Sequence, residues 1–270
     1  MTAARAIDSP TNPKVKQLVA LRSRAERDNT GLFVAEGARA LERLIAAGRE
    51  VHTVYVQSDL LDDRDRAVVT RCADAGAMVV ELSALAMAKA SYRDRPEGII
   101  AVAPQWADDL DTVRLSSPPL VIIAEGVEKP GNLGAILRTA DATGCDAVIV
   151  CDERVDRFNP NVIRAATAVV FSMPVVSASS SEALHWSRDH GLTLVATTPD
   201  TDLLYWDANL DQPVAVLMGA EDAGLTTFWL DHADVRVRLP MAGQADSLNV
   251  GVATSVVLYE AIRQRTTPAR

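Results

Sequence analysis

Leu120-Val121-Ile122-Ile123-Ala124-Glu125-Gly126-Val127-Glu128-Lys129-Pro130-Gly131-Asn132-Leu133-Gly134 is the stretch that decides the fold. An apolar run without polar alternation indicates a strand covered on both faces, as in a parallel sheet. The Gly/Pro segment behind it is a loop. A helix is expected over Leu133–Thr143, with Asn132 as its candidate N-cap. The same alternation continues downstream, with strands expected at Ala147–Cys151, Met173–Val176, Leu192–Thr197, Val214–Met218 and Val235–Leu239. Helices are expected between them, notably Glu182–His190 and Val250–Arg263. Residues 118–270 therefore read as an α/β unit with a parallel sheet. Ligands of such sheets bind beyond the carboxyl ends of the strands.

Outward from this unit, Pro104 to Pro119 carries scattered acids, two serines and three prolines without periodicity, and residues 107–117 within it read as a linker. Residues 1–106 alternate helix and strand again. Asn12–Arg22 places Val15, Leu18 and Val19 at helical spacing, and Gly37–Ala47 places Leu41, Leu44 and Ile45 on one face before the stop at Gly48. Strands are expected at Val51–Val56, Met78–Leu82 and Ile99–Ala103, with a helix over Ala67–Ala75. This is a small α/β sandwich.

The 270 residues are 48% hydrophobic, enough for two cores. Aromatic residues make up only 4%, which argues against recognition of bases mainly by stacking. No apolar run approaches the roughly 20 residues of a membrane helix. Met1 to Asp8 lacks the apolar centre of a signal peptide. Cys72, Cys145 and Cys151 have no ligand spacing, and read as buried thiols in a reducing cytoplasm. The net charge of −9 is not that of a typical nucleic-acid binder. The opening segment nevertheless holds Arg5, Lys14, Lys16, Arg22, Arg24 and Arg27, and Arg93 and Arg95 follow later. They form either a basic patch or a solvated helix face.

Three segments that follow strands carry the chemistry. Glu125 to Ala140 is a strand end, a loop and a helix bearing Arg138. It lacks both the Walker lysine and the dinucleotide glycine spacing, and by itself is equally an ordinary corner. Val214 to Leu225 runs from a buried strand into Gly219-Ala220-Glu221-Asp222-Ala223-Gly224, whose glycines allow backbone to face a ligand. Leu239 to Ala253 holds Ser247-Leu248-Asn249 before a long helix. Either polar residue can cap that helix, and capping needs only one. His52, His185, His190 and His232 lie outside these loops, and no metal constellation is visible.

Taken together and in order, the three segments resemble the signature motifs of the SpoU/TrmH family, in the SPOUT class of RNA methyltransferases. Gly31 to Gly37 and Arg95 to Ala101 resemble the substrate-binding domain of its rRNA branch, which is similar to a small RNA-binding ribosomal-protein fold. The resemblance extends to antibiotic-resistance 23S rRNA methyltransferases of actinomycetes. It implies S-adenosylmethionine-dependent methylation of a ribose 2′-hydroxyl, a deep trefoil knot in the C-terminal domain, and an obligate homodimer with the active site across the interface. The family's reactive positions map onto Asn132, Arg138, Glu221, Ser247 and Asn249. The cofactor would be held largely by backbone at Thr197, Thr198, Leu217, Met218, Gly219, Leu239, Met241, Ser247, Leu248 and Asn249. Arg22, Arg24, Arg27, Arg93 and Arg95 are the expected RNA contacts. Arg138 would act as a base or, staying cationic as guanidinium groups do, would stabilise the developing alkoxide. Glu221 would orient Arg138 or a neighbouring loop, and the role of Lys129 stays open. The competing readings are a tRNA 2′-O-methyltransferase, a small-molecule enzyme of the same fold, and a non-catalytic RNA-binding or ribosome-assembly factor.

Overall fold

The structure, a computed structural model, describes residues 6–266. Arg5 and most of the leader reading lie outside them. The chain forms two compact units: residues up to Trp106 together with 156–172, and residues 107–155 together with those from Met173 onward.

In the first unit α1 (Pro13–Ala20) starts on a proline behind Asn12, whose side chain accepts a hydrogen bond from the Lys14 amide. Helix α2 (Arg24–Thr30) ends on Gly31 at φ 65°, the left-handed cap that favours glycine. Then come β1 (Leu32–Glu36), α3 (Ala38–Ala46), β2 (Thr53–Val56), α4 (Asp63–Asp74), β3 (Met78–Glu81), α5 (Ala84–Ala90) and β4 (Ile99–Pro104). A reciprocal capping box of Asp62 and Asp65 opens α4. The sheet order is β1-β4-β2-β3, with only β2 and β3 parallel. Its core gathers Val15, Leu18, Tyr55, Val80, Met87 and Ile100.

The second unit is the expected parallel α/β sheet. Strand β5 (Leu120–Glu125) leads into α6 (Pro130–Ala142) and β6 (Ala147–Cys151). After α7 (Pro160–Ala165), which belongs to the first unit, the chain returns as β7 (Val175–Ser177). The remaining elements are α8 (Ser180–Asp189), β8 (Thr193–Thr197), β9 (Val214–Met218), α9 (Thr227–His232), β10 (Val235–Val237) and α10 (Val250–Thr266). Six strands lie in the order β10-β8-β9-β5-β6-β7, all parallel. Every residue of β5, β6 and β9 is buried, as their unbroken apolar runs require.

Two features depart from expectation. Residues 107–117 do not read as free linker here: Val113 is buried in the second core, with Leu110 and Leu115 packed against it. The stretch 156–172 folds with the first unit, where Phe158 and Phe171 join Phe33 and Trp106 in an aromatic cluster with ring centroids 4.8–6.1 Å apart. Among the described residues no helix is long and apolar enough to cross a membrane.

Candidate active site

The carboxyl ends of β10, β8, β9 and β5 stand side by side in the second unit, and each opens into a loop. Two of these loops are fastened by a buried carboxylate. Glu125 accepts hydrogen bonds from the Thr226 amide at 2.8 Å and the Thr226 hydroxyl at 2.9 Å, which ties the loop after β9 to the end of β5. That loop is itself tight. Ala220 and Gly224 exchange backbone hydrogen bonds, and a Cβ on Gly219 would lie 2.2 Å from the Gly224 carbonyl carbon. The turn's own backbone thus demands glycine at 219.

The three motif segments meet in one hydrogen-bonded network. Lys129 Nζ donates to Glu221 Oε2 at 2.5 Å. The Asn249 amide nitrogen donates to Glu221 Oε1 at 2.6 Å and to Asn132 Oδ1 at 3.0 Å. The hydrogen bond from Lys129 holds the Glu221 carboxyl below its ordinary pKa, and the same bond raises the Lys129 ammonium. Asn249 uses its other end differently: Oδ1 accepts from the amides of Gly251 at 3.0 Å and Val252 at 3.4 Å, capping α10. Asn249 thus caps α10 and joins the network through one side chain. Asn132 is not the N-cap of α6. Lys129 occupies that position because Pro130, pre-set for the first helical residue, starts the helix earlier. Asn132 is instead buried in the first turn, where its side chain meets Asn249.

Sequence reasoning left the role of Lys129 open and gave Glu125 none. Their partners stand 92 and 101 positions away, beyond any local signal. Glu221 engages a neighbouring loop and not Arg138. Arg138 lies on the exposed side of α6 with no partner among the described residues. Ser247 is also exposed, and no side-chain hydrogen bond forms there among the described residues.

The loops expected to carry the cofactor are neighbours. Thr197 Oγ donates to the Leu217 carbonyl at 2.9 Å and lies 3.4 Å from Met218 Sδ, and the Thr198 amide donates to the Val237 carbonyl at 2.9 Å. Leu239 and Met241 are half-buried, while Leu248 is exposed. This ledge of backbone and uncharged side chains suits an adenine and a sulfonium, which need hydrogen bonds from backbone and apolar cover more than a fixed counter-charge. No group of three or more His, Cys, Asp or Glu is arranged to hold a metal among the described residues.

The RNA-contact expectations divide. Arg27 is fully buried, paired bidentately with Asp156 and donating to the carbonyls of Leu21 and Arg22. Arg22 caps α5 by donating to the carbonyls of Lys89, Ala90 and Ser91, over the Tyr92 ring. Both are structural, which corrects the reading of a basic patch at that end. Arg24 is exposed beside Asp28, Arg93 pairs with Glu97, and Arg95 is exposed.

Residues 119–259 match the model of the SpoU rRNA Methylase family, and residues 12–101 match that of the MRM3-like substrate binding domain. A 23S rRNA (uridine(2479)-2'-O)-methyltransferase of Streptomyces viridochromogenes is 34% identical over 97% of this chain and 93% of its own length. The crystal structure of an RNA 2'-O ribose methyltransferase superposes with a TM-score of 0.87 at 45% identity, covering 97% of this chain and 100% of the other. An AdoMet-bound rRNA methyltransferase from Sinorhizobium meliloti superposes with a TM-score of 0.89 at 31% identity, covering 97% and 99%.

Proposed function

The chain belongs to the SpoU rRNA methylase family, and from that premise we propose how it works on RNA. It is an S-adenosylmethionine-dependent RNA 2′-O-methyltransferase, and its substrate is 23S rRNA. The observation that carries the assignment is the meeting of Lys129, Asn132, Glu221 and Asn249, which draws three separate motif loops into one network at the carboxyl ends of the sheet. A small-molecule enzyme of this fold gives the substrate-binding domain at residues 12–101 no task, and a non-catalytic factor gives the network none. The same N-terminal domain favours rRNA over tRNA.

In this reading Thr197, Thr198, Leu217, Met218, Gly219, Leu239, Met241 and Ser247 to Asn249 hold the cofactor, whose sulfonium supplies an electrophilic methyl group. Asn249 fixes the start of α10 and, through Glu221, the loop after β9. Asn132 and Ser247 position the ribose or its phosphate. Arg138, exposed and unpartnered among the described residues, stabilises the negative charge that grows on the 2′-oxygen as its proton leaves. A homodimer and a C-terminal trefoil knot complete the reading. The apolar residues Val252 and Tyr259, 50% and 56% exposed on α10, support the first. Residues 1–106 would be the RNA-binding domain and 118–270 the catalytic one, at work in the cytoplasm where ribosomes are made. Self-resistance to a ribosome-targeting antibiotic is a physiological role that fits the same reaction.

The test is a transfer assay with labelled S-adenosylmethionine and unmodified 23S rRNA, followed by nuclease digestion and mass spectrometry. The wild type should give one 2′-O-methylated nucleotide. Arg138→Ala should lower turnover by ~10²-fold or more, the scale of removing one charge-stabilising donor, with cofactor affinity unchanged. Methylation of tRNA alone would move the substrate, and near-normal turnover of the variant would remove Arg138 from the mechanism.

A further inference from the structure

The first unit contains a cleft of about 590 Å³ that the catalytic reading does not use. One wall comes from β1 and α3 and holds Glu36 and Arg39; another comes from the inserted stretch and holds Pro160, Arg164 and Thr167. Asp62, Arg64, Asp65, Arg93 and Glu97 stand at its remaining sides, so four carboxylates balance four guanidinium groups. The lining is neutral as a whole, but its groups differ in how far their hydrogen-bonding capacity is already engaged. Glu36 is taken up by the Ser91 hydroxyl and the Tyr92 amide, and Glu97 by Arg93. Asp62 and Asp65 cap α4 reciprocally. Arg64 is held by Glu42 through two hydrogen bonds. Arg39 and Arg164 remain. Neither has a carboxylate within ion-pair distance among the described residues, and Arg164 spends one donor on Asn161 Oδ1 at 3.0 Å. Asn161 in turn donates to the Tyr92 hydroxyl at 2.8 Å, which orders that wall.

A second observation falls on the same wall. Thr167 and Ala168 both line the cleft and both have positive φ, 51° and 64°. Their amides close α7 by donating to the carbonyls of Arg164 and Ile163. Helices that end in this way place glycine at the first such position. A β-branched residue there costs about 1–3 kcal/mol. Such strain is retained where the surroundings over-determine it, and here it accompanies Arg164 into the cleft.

We propose that this cleft is a phosphate-binding site for the RNA substrate, with Arg39 and Arg164 gripping the backbone from two walls. The inserted stretch 156–172, which lies inside the span of the methylase match, thereby acts as part of the substrate-binding unit. The inference rests on the RNA-methyltransferase reading and deepens it. It also moves the electrostatic contact away from Arg22 and Arg27.

The test uses the full chain and transcribed, unmodified 23S rRNA. The R39A/R164A variant should raise both Kd and KM for RNA about tenfold, and lower the slope of log Kd against log salt by about 2, one for each phosphate contact. Turnover at saturating RNA and affinity for S-adenosylmethionine should stay at wild-type values, which also reports that the variant is folded. R39K/R164K, which keeps both charges, should recover most of the affinity. Unchanged Kd and salt slope in a wild type that methylates RNA would overturn the cleft alone. A wild type that methylates no RNA would overturn both readings.

Discussion

Asn249 shows how much one amide can carry. Its oxygen caps α10 and its nitrogen bridges Glu221 and Asn132, so the two functions separate by substitution. Asn249→Asp keeps the capping oxygen and removes both donors; it also sets a second carboxylate beside Glu221. We expect a melting temperature close to wild type and methyl transfer reduced at least about tenfold, the scale of one or two lost hydrogen bonds. Asn249→Ala should add the loss of the cap, about 1 kcal/mol, to the same loss of transfer. Full activity of the aspartate variant would mean the donors are dispensable. The network also has a defined pH range. Glu221 titrates below its unfolded value when folded, so its contribution is present above the unfolded pKa and fades as pH falls through the folded one. Across neutral pH the carboxylate stays charged, and Glu221→Gln should leave the shape of the pH–rate profile above pH 6 unchanged while lowering its height. Asn132, Glu221 and Asn249 were legible as motif positions of the family resemblance. That Lys129 belongs with them was not, since a lysine in a loop gives no local sign of a distant carboxylate.

At the scale of elements, unbroken apolar runs made β5, β6 and β9 legible, because burial on both faces leaves no other composition. The order β10-β8-β9-β5-β6-β7 was not, since strands of equal hydropathy do not announce their neighbours. The short helices α2, α7 and α9, of six or seven residues, were too brief to show a period. Helix α10 meets α6 so closely that a Cβ on Gly251 would lie 2.7 Å from Ala135 Cβ, while Thr139 and Ser255 share a 2.8 Å hydrogen bond further along. Gly251→Ala should therefore destabilise the unit by about 1–3 kcal/mol in denaturant melts, through overpacking. Adding Ala135→Gly should return part of that loss, because the obstacle is one removable methyl group. Two purely additive effects would show that the helices part without cost.

For the whole molecule, the informative pair is Arg27 and Asp156. Read in sequence, Arg27 belongs to a basic surface; in the fold it is fully buried, and its carboxylate comes from the inserted stretch. Nothing in the local pattern distinguishes it from Arg24, three positions earlier and exposed. Asp156→Ala strands a buried guanidinium and should cost about 3–5 kcal/mol by chemical denaturation. Replacing both partners with apolar residues of similar volume should cost much less. An unchanged midpoint for Asp156→Ala would mean that water reaches Arg27 freely. A break in periodicity was legible near residue 107, where the longer piece of the first unit ends. The excursion of 156–172 was not, since an apolar segment between two strands looks the same whichever core receives it.

That excursion bears on recombination. Because the first unit takes residues on both sides of β5, α6 and β6, the chain passes between the units three times, at 106/107, 155/156 and 172/173. A single crossover near residue 107, joining this head to another family member's tail, would separate Phe33 and Trp106 from the Phe158 and Phe171 they evolved beside. Exchange of RNA specificity between relatives thus requires two inherited pieces to travel together, and heads that differ in this family should carry matching differences in the seventeen residues that complete them.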